Sequence, residues 1–245
     1  MKLIIKNNKI TFFKKITGTN VAELAGMNKY KPRGDMVLSM LGLVTEPFDE
    51  FYTKRGDIAE KLALQTLRKR NFPCVVYNKR EVGYDNFPEN RFFGGLIDIE
   101  IPALNTLYEI KSKNIKDYDK IEKFGDSCQE EQAMHYGWLR HYDKVHIMWI
   151  FFTDEIEAKI KAGEPITSYA GMKMFEKELI IDDDVQEDIH RRAAQYYVHC
   201  MALGEVPIED VSDKYLELLR IKRPEGVTSP EPEKSEPVQL SLDLF

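Results

Sequence analysis

The sequence predicts an α/β (α+β) fold in which a central mixed sheet is flanked by helices. Apolar residues recur at helical spacing from about residue 49 to residue 70, which predicts a long amphipathic helix. Two strand-like stretches follow at 92–101 and 106–111, and the short connection between them is typical of a hairpin. The strongly apolar stretch 145–152 predicts a buried strand. Strands and helices in this order indicate a sheet that is covered by helices.

The remaining elements follow from local signals. Residues 74–77 (CVVY) predict a further strand, which would form a three-stranded meander with the hairpin. A helix is predicted from 127 to 141, between the hairpin and the apolar strand. The other predicted elements are a hairpin at 3–13, short helices at 21–25 and 36–43, and two helices at 185–203 and 211–219.

The length and composition favour one cytoplasmic domain. With 245 residues, the chain is long enough for a sizeable core, predicted over 1–222. The chain lacks both the roughly 20 consecutive apolar residues of a membrane span and the long apolar region of a signal peptide, so we expect a cytoplasmic protein. The three cysteines are far apart and lack C-x-x-C spacing, which argues against a zinc site and a disulfide framework. We expect buried thiols at Cys74, Cys128 and Cys200.

The formal net charge of -6 is unevenly distributed. Residues 223–245 carry five acidic and two basic side chains, whereas residues 1–33 carry eight basic side chains and one acid. A local basic field matters more for phosphate binding than the global charge, so Lys29, Lys31 and Arg33 are candidate phosphate contacts. The alternative is that these N-terminal charges only make the surface soluble.

Two carboxylates and one lysine are predicted to converge on the hairpin. Glu109 and Lys111 share a face because they are two positions apart on one strand, and the hairpin brings Asp98 alongside them. Carboxylate oxygens suit Mg²⁺ or Mn²⁺, and such a metal can bind a phosphate oxygen and acidify a water for attack on phosphorus. Lys111 would orient that water or stabilise the charge that develops in the transition state. The alternative is that all three are ordinary solvent-facing charges.

The same residues resemble the signature of the PD-(D/E)xK nuclease superfamily, which has an Asp and then E-x-K on the next strand. The matching segments are 95–98 (GLID) and 109–111 (EIK). Residues 55–60 (RGDIAE) resemble the superfamily's first motif, in which a helical glutamate, here Glu60, reaches toward the metal.

Two further segments resemble one branch of that superfamily. Residues 132–136 (QAMHY) are similar to the Q-x-x-x-Y helix of recombination exonucleases, where the glutamine, here Gln132, helps to hold the site or the DNA. Residues 16–31 resemble the opening of phage-type alkaline exonucleases of the YqaJ and lambda-exonuclease kind. That opening consists of a small-residue turn, a short helix and a lysine-rich loop near DNA.

The last seven residues, 239–245 (QLSLDLF), resemble the peptide with which bacterial replication and repair proteins bind the sliding clamp. The preceding segment, 223–238, contains four prolines among Glu, Ser and Lys, and this composition predicts a flexible linker. The alternative is that the end folds back and fills a gap in the body. The residues that would enter the clamp groove are Gln239, Leu240, Leu242, Leu244 and Phe245.

The resemblance implies a restriction-endonuclease-like core and a Mg²⁺-dependent DNA exonuclease of phage recombination or DNA repair. It implies that Asp98 and Glu109 are metal ligands and that the Ile110 carbonyl is a third. Lys111 would be the catalytic cation, with Glu60 and Gln132 as supporting groups. A structure-specific endonuclease and a non-catalytic, clamp-tethered DNA-binding adaptor stay open as alternatives. A homo-oligomeric ring and a single-strand-annealing partner also stay open.

Overall fold

The centre of the computed structural model is a four-stranded sheet in the order β4, β5, β6, β7. These strands are β4 (Ile99–Ile101), β5 (Thr106–Asn114), β6 (Lys144–Phe152) and β7 (Lys173–Ile180). The outer pairs are antiparallel and the central pair, β5 with β6, is parallel, so the sheet is mixed. The predicted fold class is therefore confirmed.

Side chains alternate between the two faces of β6, and both faces are buried. Trp149 and Phe151 pack in one apolar cluster, while Ile150 and Phe152 pack in another. This period of two with apolar residues on both faces is the pattern of a strand that is covered on both sides. One face is covered by α3 (Glu50–Lys69) and α6 (Asp154–Ala162), the other by α4 (Tyr118–Phe124) and α5 (Ser127–Arg140).

A third apolar cluster joins the N-terminal and C-terminal helices. Two short strand pairs accompany it, antiparallel β1–β8 and parallel β2–β3. The helices of this part are α1 (Gly18–Leu24), α2 (Arg33–Met40), α7 (Asp183–Leu203) and α8 (Asp213–Leu218); the short strands are β1 (Lys2–Ile4), β2 (Ile16–Thr17), β3 (Phe93–Gly94) and β8 (Glu205–Pro207).

The structure describes residues 2–4, 14–28, 31–45, 47 and 49–228, with the backbone alone for 2–4. Most of the predicted 3–13 hairpin and of the 223–238 linker, and all of the 239–245 peptide, lie outside these residues. Among the described helices, none combines the length and the apolar character that crossing a membrane requires. Cys200 is buried as expected, whereas Cys74 and Cys128 are only half-buried.

Two strand predictions are wrong in detail. Residues 74–77 form no strand, because only Val75 pairs with the sheet, through a bridge to Glu100. The predicted meander is therefore absent from this part of the sheet, and β6 is the second neighbour of β5. The stretch 92–101 is also interrupted between β3 and β4, since Gly95 adopts a φ of 133° that no regular strand contains.

Candidate active site

Strand β5 places Glu109 and Lys111 on one face of the sheet, as their spacing predicts. The Lys111 ammonium donates to Glu109 Oε1 at 2.7 Å and to Gln132 Oε1, on α5, also at 2.7 Å. Gln132 in turn donates to the hydroxyl of Tyr136 at 3.4 Å. The lysine is therefore fixed between a strand and the helix that covers it.

The hairpin brings Asp98 beside these residues. The β4–β5 register pairs Ile99 with Tyr108, so Asp98 falls opposite Glu109. Asp98 Oδ2 accepts a hydrogen bond from the backbone N–H of Ile110 at 2.8 Å. The structure thus brings together the three residues that the sequence predicts for the catalytic cluster.

The segment that carries Asp98 is held by side chains because it pairs with no strand. Asp85 Oδ1 accepts from the N–H of Gly95 at 3.2 Å, and Asn86 Oδ1 accepts from the N–H of Ile97 at 2.8 Å. A Cβ on Gly95 would lie 2.7 Å from the ring of Tyr136. A glycine is therefore required at this position both for its φ and for the close approach of α5.

A buried histidine pair lies under the same segment. Nε2 of His135 is 3.1 Å from the Gly94 carbonyl, and its Nδ1 is 2.7 Å from Nε2 of His190. Nδ1 of His190 is 2.6 Å from the Gln186 carbonyl. Burial lowers the pKa of His135 to about 3 and that of His190 to about 4. The ring contacts are with each other and with the carbonyls of Gly94 and Gln186, outside the cluster of Asp98, Glu109 and Lys111.

Glu60 approaches the cluster from α3. Its Oε1 accepts from the ammonium of Lys79 at 3.2 Å, and both side chains line a cavity of about 320 Å³ together with Asp98. Glu60 is close enough for its charge to raise the pKa of Asp98. The structure therefore places this predicted supporting residue at the site, together with Lys79, which the sequence did not predict.

Burial and mutual repulsion dominate the electrostatics of the carboxylates. Burial, and then the charges of Glu109 and Glu60, raise the pKa of Asp98 well above its usual range. Burial also raises the pKa of Glu109, which the Lys111 charge opposes. Burial alone would lower the pKa of Lys111, but the adjacent carboxylates outweigh it and the pKa is raised. The adjacent carboxylates therefore favour the charged ammonium form of Lys111.

Whether a metal fits the cluster depends on the carboxylate oxygens that no hydrogen bond uses. Glu109 is 2% exposed, yet its Oε2 has no hydrogen-bond partner within the described part of the chain. No three His, Cys, Asp or Glu side chains of the described residues converge on a common metal position. Mg²⁺ is commonly held by one or two carboxylates and completes its shell with waters and phosphate oxygens. The pair Asp98 and Glu109 fits that pattern, and the Ile110 carbonyl remains a predicted third ligand.

A larger cleft opens on the other side of the cluster. Its volume is about 800 Å³, and it is lined by Lys111 and Gln132 together with Lys113 and Lys120. Lys111 lines the large cleft and Asp98 lines the small cavity, so the catalytic cluster separates the two spaces.

The structure does not bring Lys31 or Arg33 into this cluster. Lys29 lies outside the described residues. Lys31 lies near Glu23, a buried carboxyl on the wall of the large cleft. Arg33 stacks 4.2 Å from the ring centre of Tyr196 and pairs with Asp210 at 3.6 Å, so its charge is engaged away from the site.

Sequence reasoning missed the residues that shape the site from the 78–97 region. Lys79, Asp85 and Asn86 stand in a turn-rich segment without periodicity. The burial of Asn86 is visible only in the structure, so the sequence gives no signal of the structural role of this segment.

No family model matches the chain. Two curated proteins match over 89 residues, which is 36% of this chain and 32% of each relative. The uncharacterized protein MG373 homolog of Mycoplasma pneumoniae is 34% identical there, and uncharacterized protein MG373 of Mycoplasma genitalium is 33% identical. The chain thus matches about a third of the length of these relatives.

Solved exonuclease structures share the fold. A phage-related exonuclease from Haemophilus somnus has a TM-score of 0.54 at 17% identity, covering 78% of this chain and 96% of that one. The alkaline exonuclease LHK-Exo from Laribacter hongkongensis has a TM-score of 0.55 at 15% identity, covering 84% and 93%. The same enzyme in complex with dAMP has a TM-score of 0.54 at 17% identity. The chain therefore has the fold of phage-related and alkaline exonucleases.

Proposed function

We propose that this protein is a Mg²⁺-dependent deoxyribonuclease, and specifically a DNA exonuclease, with Mn²⁺ as an alternative metal. One observation carries the proposal. Asp98 and Glu109 are adjacent, Glu109 has a buried oxygen with no partner among the described residues, and the charged Lys111 is fixed beside them. This arrangement occurs in a fold shared with exonucleases.

Each residue of the site has a distinct role in phosphodiester hydrolysis. Mg²⁺ held by Asp98 and Glu109 would polarise a phosphate oxygen and lower the pKa of a water. The Lys111 ammonium stabilises the negative charge that grows on the phosphate oxygens in the transition state. Gln132 keeps that ammonium in place through its 2.7 Å contact. Glu60 supports the cluster from the opposite cavity.

DNA is the substrate that the site chemistry supports best. The large cleft beside Lys111 also presents Lys113 and Lys120, and lysines that line a cleft attract a phosphate backbone. The names of the structural neighbours describe exonucleases, and one of them binds dAMP. Lys29 and Lys31 remain proposed phosphate contacts, whereas the charge of Arg33 is engaged by Asp210.

The C-terminal residues carry a separate proposal about a partner. We infer from the pattern QLSLDLF that residues 239–245 bind a bacterial sliding clamp and that 223–238 act as the linker. This would place the nuclease at sites of recombination or repair. Deleting 239–245 should abolish clamp binding in a pull-down without changing cleavage of free DNA, and unchanged clamp binding would refute this part.

The catalytic proposal is tested with purified protein, Mg²⁺ and three DNAs: a linear duplex, a closed circle and a single strand. We expect loss of the linear duplex alone, and no loss with Lys111→Ala. Cleavage of the closed circle would make the protein an endonuclease. No cleavage of any substrate, or full cleavage by Lys111→Ala, would refute the proposed catalysis and favour the clamp-tethered adaptor.

A further inference from the structure

The large cleft beside Lys111 carries an aromatic side chain that the packing of the fold does not use. Phe124, the last residue of α4, lines this cleft and is 69% exposed. It joins none of the three apolar clusters that the described residues form. We propose that Phe124 stacks on an unpaired base of a DNA strand, so that the cleft binds DNA in its single-stranded form. This inference rests on the proposed function, because it takes the cleft to be the DNA-binding side of the nuclease.

The exposure of Phe124 is a property of this side chain and not of its helix. Ile121, one turn earlier on α4, is 4% exposed and packs in the cluster that covers one face of the sheet. Helix α4 ends at Phe124, and Gly125 follows with a φ of 67°. The helix is therefore anchored through Ile121, while the ring of Phe124 stays in the cleft. Single exposed apolar side chains are common on protein surfaces, but an aromatic ring in a lysine-lined cleft is what binding of a single strand requires.

Cations that can hold the phosphates of such a strand accompany the ring. The ammonium of Lys123 is 5.0 Å from the ring centre of Phe124. Lys113 and Lys120 line the same cleft. Lysines attract the phosphate backbone whatever its sequence, and an aromatic ring can stack on any base because every base has a π-face. The cleft thus offers both components of a site for a single strand.

A buried carboxylate on the cleft wall limits where the phosphates can run. Glu23 lines the cleft and is 8% exposed, and its Oε2 has no hydrogen-bond partner within the described ranges. Asp117 and Asp126 also line the cleft. These acids repel a phosphate, whereas the N–H groups on the edge of an unpaired base can donate to them. The charges therefore favour a strand that keeps its phosphates near the lysines and turns its unpaired bases toward this wall.

Binding of a labelled oligothymidylate and of an abasic strand of the same length, measured by fluorescence anisotropy with the full chain, tests the assignment. EDTA is present to remove the divalent metal on which the proposed cleavage depends. Phe124→Ala should weaken binding of the oligothymidylate by about tenfold and leave the abasic strand unchanged, because only the first has bases to stack. Phe124→Trp should bind the oligothymidylate like the wild type, whereas Phe124→Leu, which is apolar but has no ring, should bind it more weakly.

Two variants serve as matched controls. Tyr84→Ala removes an aromatic side chain that is 63% exposed but lines neither of the two cavities, and it should bind both strands like the wild type. Lys120→Gln removes a cation of the cleft and should weaken both strands to the same degree. Equal affinity of Phe124→Ala and Tyr84→Ala for the oligothymidylate, or an equal loss of both strands with Phe124→Ala, would overturn the proposal. An equal loss for a blunt duplex would also overturn it, because the ring would then contact paired bases.

The outcome is separable from that of the proposed function, because binding is measured without cleavage. If the wild type cleaves DNA and Phe124→Ala binds the oligothymidylate like the wild type, the stacking is refuted and the nuclease stands. If the wild type cleaves nothing but the affinities change as expected, the single-strand site stands and the catalysis is refuted.

Discussion

Glu100 and Glu109 lie on neighbouring strands, and each is only 2% exposed. Both oxygens of Glu100 have partners: the hydroxyl of Tyr77 donates to Oε2, that of Tyr142 donates to Oε1 at 2.7 Å, and Arg140 pairs with it at 3.0 Å. Glu109 has Lys111 on one oxygen, and its other oxygen is without a partner in the described part of the chain. Burial alone therefore does not distinguish a structural carboxylate from a candidate metal ligand.

The two glutamates differ in how far their partners compensate the desolvation of the carboxylate. The partners of Glu100 compensate its desolvation within the protein, which is what a buried charge needs if it is to stabilise a fold. Glu109 is desolvated without full compensation, and a cation would supply what is missing. We therefore propose that metal binding offsets the cost of burying Glu109, whereas hydrogen bonds and an ion pair offset the cost of burying Glu100.

The largest expected effect is on cleavage. Glu109→Gln keeps the shape of the side chain but removes the charge that would hold the metal, and we expect DNA cleavage to fall by up to about 1,000-fold. The free energy of unfolding should change by less than about 1 kcal/mol, because the amide oxygen can still accept from Lys111 and the lost ion pair is offset by relief of the repulsion between Glu109 and Asp98. Timed loss of linear duplex and urea denaturation measure the two quantities. Full activity of Glu109→Gln would refute the proposed role of Glu109 as a metal ligand.

The opposite result is expected for the other glutamate. Glu100→Ala leaves Arg140 and two tyrosine hydroxyls without their acceptor, and should lower the free energy of unfolding by about 3 kcal/mol. Cleavage per folded molecule should stay at the wild-type level. Tyr142→Phe removes one of these bonds and should cost about 1 kcal/mol. If Glu100→Ala were no less stable than Glu109→Gln, the hydrogen bonds and the ion pair of Glu100 would not stabilise the fold as we expect.

A third buried glutamate sharpens the comparison through pH. Glu131 is 0% exposed, its Oε2 accepts from Gln186 at 3.1 Å, and its Oε1 also lacks a partner among the described residues. Burial raises its pKa to about 7, so a proton on the carboxyl is the simple explanation here. Glu131 lines neither of the two cavities.

The pH dependence of the stability follows from the raised pKa of Glu131. A pKa raised in the folded state gives stability that is present below the unfolded value near 4.5 and is lost as the pH rises through about 7. Glu131→Gln cannot ionise, so its stability relative to the wild type should increase by about 2 kcal/mol from pH 5 to pH 8. Thermal unfolding of both proteins across this range measures it. A constant difference would show that the pKa of Glu131 is the same in the folded and unfolded states.

Local periodicity was enough to predict α3, β5, β6 and the convergence of Asp98, Glu109 and Lys111. Glu109 and Lys111 share a face because they are two positions apart, and a short turn after β4 brings Asp98 opposite them. Strand β7 and helix α6 were missed because few of their side chains are buried. Only Leu179 is buried in β7, and only Ile156 and Ile160 are buried in α6.

The parts of the site that depend on long-range contacts could not be predicted. Lys79 reaches Glu60 across 19 positions, and Asn86 holds Ile97 across 11, without any repeat that marks either pair. The 74–77 stretch has the composition of a strand, but a strand also needs a neighbour along its length, and β4 offers only three residues. Composition sets a preference that the available partner overrides.

The pair of His135 and His190 has one N–H group fewer than its three hydrogen-bond contacts require. Two neutral rings carry two N–H groups, but the contacts to the Gly94 carbonyl, between the rings and to the Gln186 carbonyl need three. The hydrogen bonds therefore run in one direction, and the 2.6 Å contact favours donation to Gln186. His135 then faces Gly94 with a bare nitrogen. If both rings took the other tautomer, His135 would donate to the Gly94 carbonyl, and the contact with the Gln186 carbonyl on α7 would lack its hydrogen bond. No heavy atom would need to move.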